Sequence, residues 1–255
     1  MITRFKDKFS EILLNYHSGK RKKSIAKEID PEFVAHFNID VECKPAWYGT
    51  SYGGFYVLPE LLNENSIIYS IGVGKDISFD KACIKKHNCK VFAFDPTPKS
   101  IEWIKRQKLP VNFRFFPFGI SSADTGYFEF YLPKHEKGVS GSLVLQNDVA
   151  KDKPISVLMK SFSDITNELD HRHIDVLKMD IEGAEYVALK HVLNSPVIVD
   201  QLIIEFHDRS FEQTTPKSRN IVKQLLDSGY HIFGCSISFE EISFVHHRKF
   251  KALGL

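Results

Sequence analysis

The stretch from Ile67 to Asp95 constrains this chain more than any other. Ile67-Ile68-Tyr69-Ser70-Ile71 is an apolar run that halts at Gly72-Val73-Gly74, a segment with helical spacing follows, and Val91-Phe92-Ala93-Phe94 ends on Asp95. Strand, glycine turn, helix and a second strand closing on a carboxylate make the β-turn-α-β unit of a nucleotide-binding half-sheet. Gly72 and Gly74 let the turn pass close beneath a ligand, because a side chain there would fill the ligand's space and glycine tolerates the dihedrals of a tight turn. Asp95 lies 21 residues past Gly74, where a carboxylate leaving the second strand accepts hydrogen bonds from a ribose diol. Each bond to a charged acceptor is worth roughly 1.5–3 kcal/mol. Asp76 suits the positive end of the intervening helix and is also placed to face a cofactor.

The dinucleotide fingerprint G-x-G-x-x-G requires a third glycine for close helix packing, and this chain has Ile77 there. That opposes an NAD-linked oxidoreductase or epimerase, and Lys75 and its neighbours make no P-loop. S-adenosylmethionine has a ribose and an adenine but no pyrophosphate to seat on a helix N-terminus, so a shorter G-x-G turn and a strand-end acid suffice for it.

Further strands end in polar groups. Val111 to Phe118 reads as a third strand, with Phe118 and Gly119 placed to border a base. Ile174 to Asp180 ends on an acid and runs into Ile181-Glu182-Gly183-Ala184-Glu185, and Val197 to Phe206 exits through Glu205, His207 and Asp208. Ligands of an open α/β sheet lie beyond the carboxyl ends of its strands, so Gly72, Gly74, Asp95, Asp180, Glu182, Glu205 and His207 should converge on one rim. Tyr230–Cys235 and Glu241–His246 read as a closing antiparallel hairpin. The alternation predicts a mixed seven-stranded α/β sheet with helices on both faces.

Ahead of this domain, assigned to residues 46–255, residues 1–45 read as a helical extension. Phe5, Phe9, Ile12, Leu13 and Tyr16 share a helix face, and Ser18-Gly19 is the expected stop. The helix either packs across the domain or serves as a substrate lid or a homo-oligomer contact. Asp30-Pro31 starts a second short helix to about Phe37. The aromatics and glycines between Cys43 and Gly54 either close over a ligand or form a packed connector, and the polar stretch from Lys134 to Pro154 reads as a loop that orders with substrate. Lys20-Arg21-Lys22-Lys23 reads as a solvated linker, with a phosphate or membrane contact as the alternative.

A formal charge of +2, from 34 basic and 32 acidic residues, argues against nucleic acid as partner. Four cysteines without C-x-x-C spacing indicate neither zinc nor a disulfide framework, and suggest a reducing compartment. No apolar leader or membrane-length span is read, so the expected location is cytoplasmic.

Asp175-Val176-Leu177-Lys178-Met179-Asp180-Ile181-Glu182-Gly183-Ala184-Glu185 resembles the signature segment of the FkbM-type S-adenosylmethionine-dependent methyltransferases. Ser70-Ile71-Gly72-Val73-Gly74 and Phe94-Asp95-Pro96-Thr97-Pro98 are similar to that family's cofactor motifs. The likeness covers roughly residues 50–247. It implies a class I methyltransferase, Rossmann-like fold and O-methylation of hydroxyls on sugars, polysaccharides or other natural products. It also implies a cofactor site drawn from Ser70, Gly72, Gly74, Asp76, Asp95, Pro96, Thr97, Phe118, Gly119 and Asp180, with Asp95 on the ribose and Gly72 and Gly74 under the methionine part. For the chemistry, His207 is the first candidate general base, since its ordinary pKa is near neutral, with Asp180, Glu182 and Glu205 beside it. Alternatively Asp180, Glu205 and His207 hold a divalent cation such as Mg²⁺ that lowers the acceptor hydroxyl's pKa. A non-catalytic cofactor-binding module of the same fold is the remaining reading.

Overall fold

The computed structural model describes residues 2–121, 124–134, 139, 141–145, 149–150, 152, 154–211 and 215–255, with side chains from Asn15 onward. Seven strands form the main sheet: β1 (Ile67–Ile71), β2 (Lys90–Phe94), β3 (Phe113–Phe116), β4 (His173–Met179), β5 (Ile198–Glu205), β6 (Tyr230–Cys235) and β7 (Glu241–His246). Their spatial order is β6-β7-β5-β4-β1-β2-β3. Neighbours from β3 to β5 pair in parallel, while β7 pairs antiparallel with both β5 and β6. This is the mixed seven-stranded α/β sheet that the sequence predicts, and strand order reverses between β1 and β4, where such sheets open a ligand crevice.

Strand periodicity divides the core in two, because successive side chains of a strand point to opposite faces. Tyr69, Ile71, Phe92, Phe94, Leu177, Met179, Leu202 and Ile204 pack on one face with Phe162, Leu189, Ile221 and Leu225 from the helices Phe162–Glu168, Glu185–Leu193 and Ser218–Asp227. Ile68, Val91, Ala93, Val176 and Ile203 pack on the other with Phe79, Cys83 and Ile104 from Ser78–His87 and Pro98–Ile104. A separate three-stranded sheet of Gly119–Ser121, Ile155–Ser161 and Gly126–Phe130 leans over the edge beyond β3.

Several local expectations shift. The N-terminal helix does not stop at Ser18-Gly19 but runs from Ile2 to Glu28. Gly19 lies within the helix and faces Ser51, whose Oγ a Cβ would meet in ordinary van der Waals contact at 3.5 Å. The predicted apolar face from Phe5 to Leu13 lies outside the described side chains, and Tyr16 is exposed. The third strand is shorter than Val111–Phe118, with Val111 almost fully exposed. The last large helix begins at Ser218, whose N–H donates to the buried Asp208 carboxylate at 2.9 Å, a cap supplied from across the fold. The predicted loop 134–154 falls partly outside the described residues, and its described part makes bridges from Tyr131 to Ser142 and from Pro133 to Val149. The four cysteines are free thiols, Cys83 and Cys89 buried. Among the described residues, no helix is long and apolar enough to cross a membrane.

The tightest backbone approach is where β1 leaves the sheet. Gly72 has φ +82, and a Cβ there would lie 1.7 Å from the Asp180 carbonyl oxygen at the end of β4. Gly72→Ala is expected to lower stability by roughly 2–4 kcal/mol, from the left-handed backbone and the clash combined, read as an earlier midpoint in urea denaturation.

Candidate active site

Asp95 organises the cofactor half of the site. It is buried, its Oδ2 accepts from the Val73 and Gly74 N–H groups at 3.0 and 2.8 Å, and its Oδ1 accepts from the Thr97 N–H at 2.8 Å. A carboxylate offers about four lone-pair sites, so the backbone takes three and about one is left for a ribose hydroxyl, fewer than the diol pair anticipated from sequence. Gly74 has φ +56 and open space where a Cβ would sit. Lys178, an ammonium within an otherwise apolar buried strand, donates to the Gly72 carbonyl at 2.7 Å and stiffens the turn from beneath. Behind it lies Asp80, whose burial pushes its pKa up to about 6 against the pull of the Lys178 charge. Asp76 is spent on architecture: it accepts from the Thr50 hydroxyl and from the Ser78 N–H, both at 2.6 Å, pinning the 50–54 loop to the next helix.

The acid half forms at the ends of β4 and β5. His207 is held from below by Glu185, fully buried, which accepts from its backbone N–H at 3.0 Å and lies 3.2 Å from its Nδ1. Its Nε2 faces Glu182 at 3.3 Å, Asp180 at 3.7 Å and Glu205 at 4.0 Å. Burial by itself lowers the imidazole pKa, but the Glu185 and Glu182 carboxylates outweigh it and hold His207 well above the ordinary histidine range. That direction favours the imidazolium form of His207 and argues against the general-base role expected from its ordinary pKa. Glu205 moves the other way from a typical paired acid: burial, together with Asp180 and Glu241, raises its carboxyl well above the usual range. Glu182 adopts φ +53, a left-handed conformation uncommon for a residue with a side chain. Its carbonyl accepts from the Ser142 hydroxyl at 2.6 Å, and Glu185 accepts from the Gly183 N–H at 2.8 Å, so the strained turn is held on both sides.

Both halves open into one cavity of about 510 Å³, within the size range of small-molecule sites. Gly72, Gly74, Asp76, Asp95, Pro96, Thr97, Gly119, Asp180, Glu182, Glu205 and His207 all line it. Ser70 and Phe118 do not. Ser70 is fully buried, and the Phe118 ring packs at a tilt against Phe94 and Phe116 under the Lys160 ammonium. The metal-ligating geometry also differs from expectation. Asp180, Glu182 and His207 present ligand atoms within 4.8 Å of one another, whereas Glu205 groups with Glu240 and Glu241.

Sequence reasoning missed part of the lining. His17, Ser18, Arg21 and Lys22 of the N-terminal helix border the cavity, as do Arg209 and Glu240. The basic run is no solvated linker: Arg21 makes a bidentate pair with Glu240 at 2.7 and 3.0 Å, and Lys22 pairs with the buried Glu241. Lys178 had a readable signal, a cation in the buried second half of β4, between Leu177 and Met179. The Cys43–Gly54 cluster splits, with Tyr52 and Gly53 lining the cavity while Trp47 and Tyr48 bond to Thr50 and His87 in the connector.

The raised Glu205 pKa gives a signed pH dependence. A carboxyl bound to its proton more tightly in the folded than in the unfolded chain contributes stability at low pH, and that contribution is lost as pH rises from the ordinary glutamate pKa through the raised one. Glu205→Gln removes the dependence. In urea midpoints the variant is expected to gain on the wild type steadily between pH 5 and pH 8; a constant difference across that range would contradict the assignment.

Comparison with known proteins places the chain. It is 28% identical over 155 residues to human "Probable methyltransferase-like protein 24", covering 60% of this chain and 36% of that protein. The rat protein of the same name is 29% identical over 142 residues, 55% of this chain and 32% of that one. The chain thus spans about a third of the length of the curated relatives it matches. Among solved structures it is similar to the fibrillarin pre-rRNA processing protein of Methanococcus jannaschii, at 13% identity and a TM-score of 0.44 over 74% of this chain and 68% of that one. It is also similar to Aeropyrum pernix fibrillarin with natively bound S-adenosylmethionine, at 10% identity and a TM-score of 0.40 over 72% and 67%. The sequence model of the methyltransferase FkbM domain matches residues 59–232, well over half of the chain, which takes in the glycine turn, Asp95 and the acid-rich end of β4: the chain belongs to the FkbM methyltransferase domain family.

Proposed function

We propose that this chain is an S-adenosylmethionine-dependent O-methyltransferase acting on a hydroxyl of a sugar, polysaccharide or other natural-product acceptor. The observation that carries the reading is that a glycine turn tied to a strand-end acid and a group of carboxylates around His207 share one cavity. Its fit to the cofactor rests on the open space over Gly74 and on the lone pair that Asp95 keeps after its three backbone bonds. S-adenosylmethionine, when bound, supplies an electrophilic methyl group. The protein's own residues position the acceptor oxygen and take its proton.

Asp180 is the proton acceptor in this reading. It ends β4 at the strand-order reversal, beside Gly72, and its carboxylate faces the cavity within 4.0 Å of the Lys178 ammonium and 3.7 Å of His207. His207, kept cationic by Glu185 and Glu182, fixes the orientation of Asp180 and lets closely spaced carboxylates remain ionised together. Orientation of two reactants is worth on the order of 7–11 kcal/mol in favourable cases, and a positioned base adds about 100- to 10,000-fold.

A second reading is supported by Glu185. A buried carboxylate on the Nδ1 of a histidine whose Nε2 faces the site is the arrangement that orients metal-ligating histidines. Asp180, Glu182 and His207 would then hold a divalent cation such as Mg²⁺, which would lower the pKa of the acceptor hydroxyl. His207 would give up its Nε2 proton on ligation.

S-adenosylmethionine and S-adenosylhomocysteine, but not NAD, are expected to raise the melting temperature, by the equivalent of about 2.7 kcal/mol at 100 times the dissociation constant. Asp95→Asn is expected to weaken that response. A response to NAD alone would sink the reading. In turnover screens against glycan and polyol acceptors, Asp180→Asn is expected to lower kcat about 100- to 10,000-fold with the cofactor-induced melting shift retained. Loss of turnover in EDTA, restored by Mg²⁺, would select the cation-assisted version, whereas cofactor binding with no turnover on any acceptor would favour a binding module.

A further inference from the structure

The N-terminal helix is held to the domain in an unusual way. From Asn15 to Glu28, Lys22 is the one buried residue among the described side chains, and none of these residues joins a hydrophobic cluster. What fastens residues 15–28 of the helix, among the described side chains, is polar. On one side the Ser18 hydroxyl donates to the Ser51 carbonyl at 3.0 Å, and the Ser51 N–H and hydroxyl donate to Asn15 at 2.7 and 2.6 Å. On the other, Arg21 and Lys22 pair with Glu240 and Glu241 at the β6–β7 turn. Between these two attachments His17, Ser18, Arg21 and Lys22 line the cavity.

We propose that this helix is a hinged lid over the cavity, latched by the Arg21–Glu240 and Lys22–Glu241 pairs, and that ligands enter and leave when it lifts. Elements with little apolar burial occupy the low end of a protein's local stability, and exposed ion pairs are weak fastenings. Arg21 has a side-chain exposure of 58% against 6% for Glu240, and Arg209 at 3.1 Å keeps the Glu240 carboxylate paired when Arg21 swings out to water. Lys22 is the stronger anchor, since its ammonium is buried against Glu241 and lies 5.5 Å from the Trp47 ring. The helix therefore opens from its Arg21 and Ser18 contacts while the segment after Glu28 stays anchored: Ile29, Phe33 and Phe37 pack into the main core, and the Asp40 and Val41 N–H groups donate to the Ile232 carbonyl at 3.1 and 3.3 Å. Both the helix and the Glu240–Glu241 turn lie outside residues 59–232, the segment that the family model matches.

The structure supplies its own lock. A Cβ on Gly19 would sit 4.0 Å from the Ser51 Cβ, inside the 3.5–4.5 Å range of disulfides, so Gly19→Cys with Ser51→Cys should cross-link the helix to the loop beneath it. The double variant is loaded with S-adenosylhomocysteine while reduced, then oxidised with glutathione disulfide, and ligand release is followed by competition. Release at least tenfold slower in the oxidised form, reversed by dithiothreitol and absent in either single cysteine variant, is the expected result. Equal release from both forms, with the cross-link verified by thiol titration, overturns the lid. Hydrogen exchange of the ligand-free full chain provides the companion measurement, which depends neither on the cofactor reading nor on the cysteine pair folding. Amides of residues 15–28 should exchange far faster than those of β1 and β4, and faster again in Glu240→Gln; protection equal to β1 overturns the proposal. The proposal that release is gated rests on the methyltransferase reading, and the two fail differently: no binding of S-adenosylhomocysteine by the reduced wild type sinks that reading, while binding with release indifferent to the lock sinks the lid.

Discussion

The Asp95 carboxylate is the contact on which the site depends. Three backbone N–H groups, two from the turn after β1 and one from the start of the helix after β2, converge on its two oxygens in a buried position. Hydrogen bonds to a buried charge are strong, and leaving any of these donors unpaired would be costly. The carboxylate thereby joins the ends of two adjacent strands, and the Gly72 carbonyl joins a third element by accepting from Lys178 on β4. The cofactor turn is thus braced by one acid and one base from the two strands flanking β1, and the same acid is left with little capacity for a ligand. In our reading, holding the turn and binding the ribose are two tasks of one side chain.

The acid half solves a different problem, that of keeping several carboxylates together. Asp180, Glu182, Glu185 and Glu205 all lie within 4.0 Å of one ring nitrogen or another of His207. Like charges at such distances resist ionising together, and the structure answers with one cation at the centre and with Glu205 driven toward its protonated form by burial. The arrangement makes His207 a poor proton acceptor and a good organiser, which moves the base role in our reading to the Asp180 carboxylate at the edge of the group. A divalent cation in place of the imidazolium proton would meet the same electrostatic need.

A third feature is the division of the cavity wall between the family-matched segment and stretches outside it. The glycine turn, Asp95 and the acid cluster lie within the family-matched segment, whereas the helix that carries His17 and Arg21, and the Glu240–Glu241 turn that holds it, lie outside. The chemistry and the roof over it therefore come from different stretches of chain, joined by ion pairs rather than by a common core. That division allows the roof to move without disturbing the residues beneath it.

The sequence by itself determined the sheet and its rim. Strands of four to eight residues separated by helical periodicity leave few arrangements, and the glycines and acids at strand ends have to gather where parallel strands stop. Local signals were enough for Gly72, Gly74, Asp95, Asp180, Glu182, Glu205 and His207 because each adjoins a strand whose direction the apolar pattern fixes. What only the tertiary structure decided was how those groups share their protons and partners. Asp95 spends most of its capacity on its own backbone, Asp76 on a neighbouring loop, and His207 is charged because residues far apart in the chain surround it. Ser70, within β1, and Phe118, just past β3, are buried in the interior, the latter among the Phe94 and Phe116 rings. Lys20 to Lys23 looked like solvent-facing charge since nothing within the run reveals that Glu240 and Glu241, over two hundred residues away, are its counterions. Periodicity and propensity are local properties that a sequence displays, whereas charge pairing and burial of polar groups depend on distances that exist only once the chain has folded.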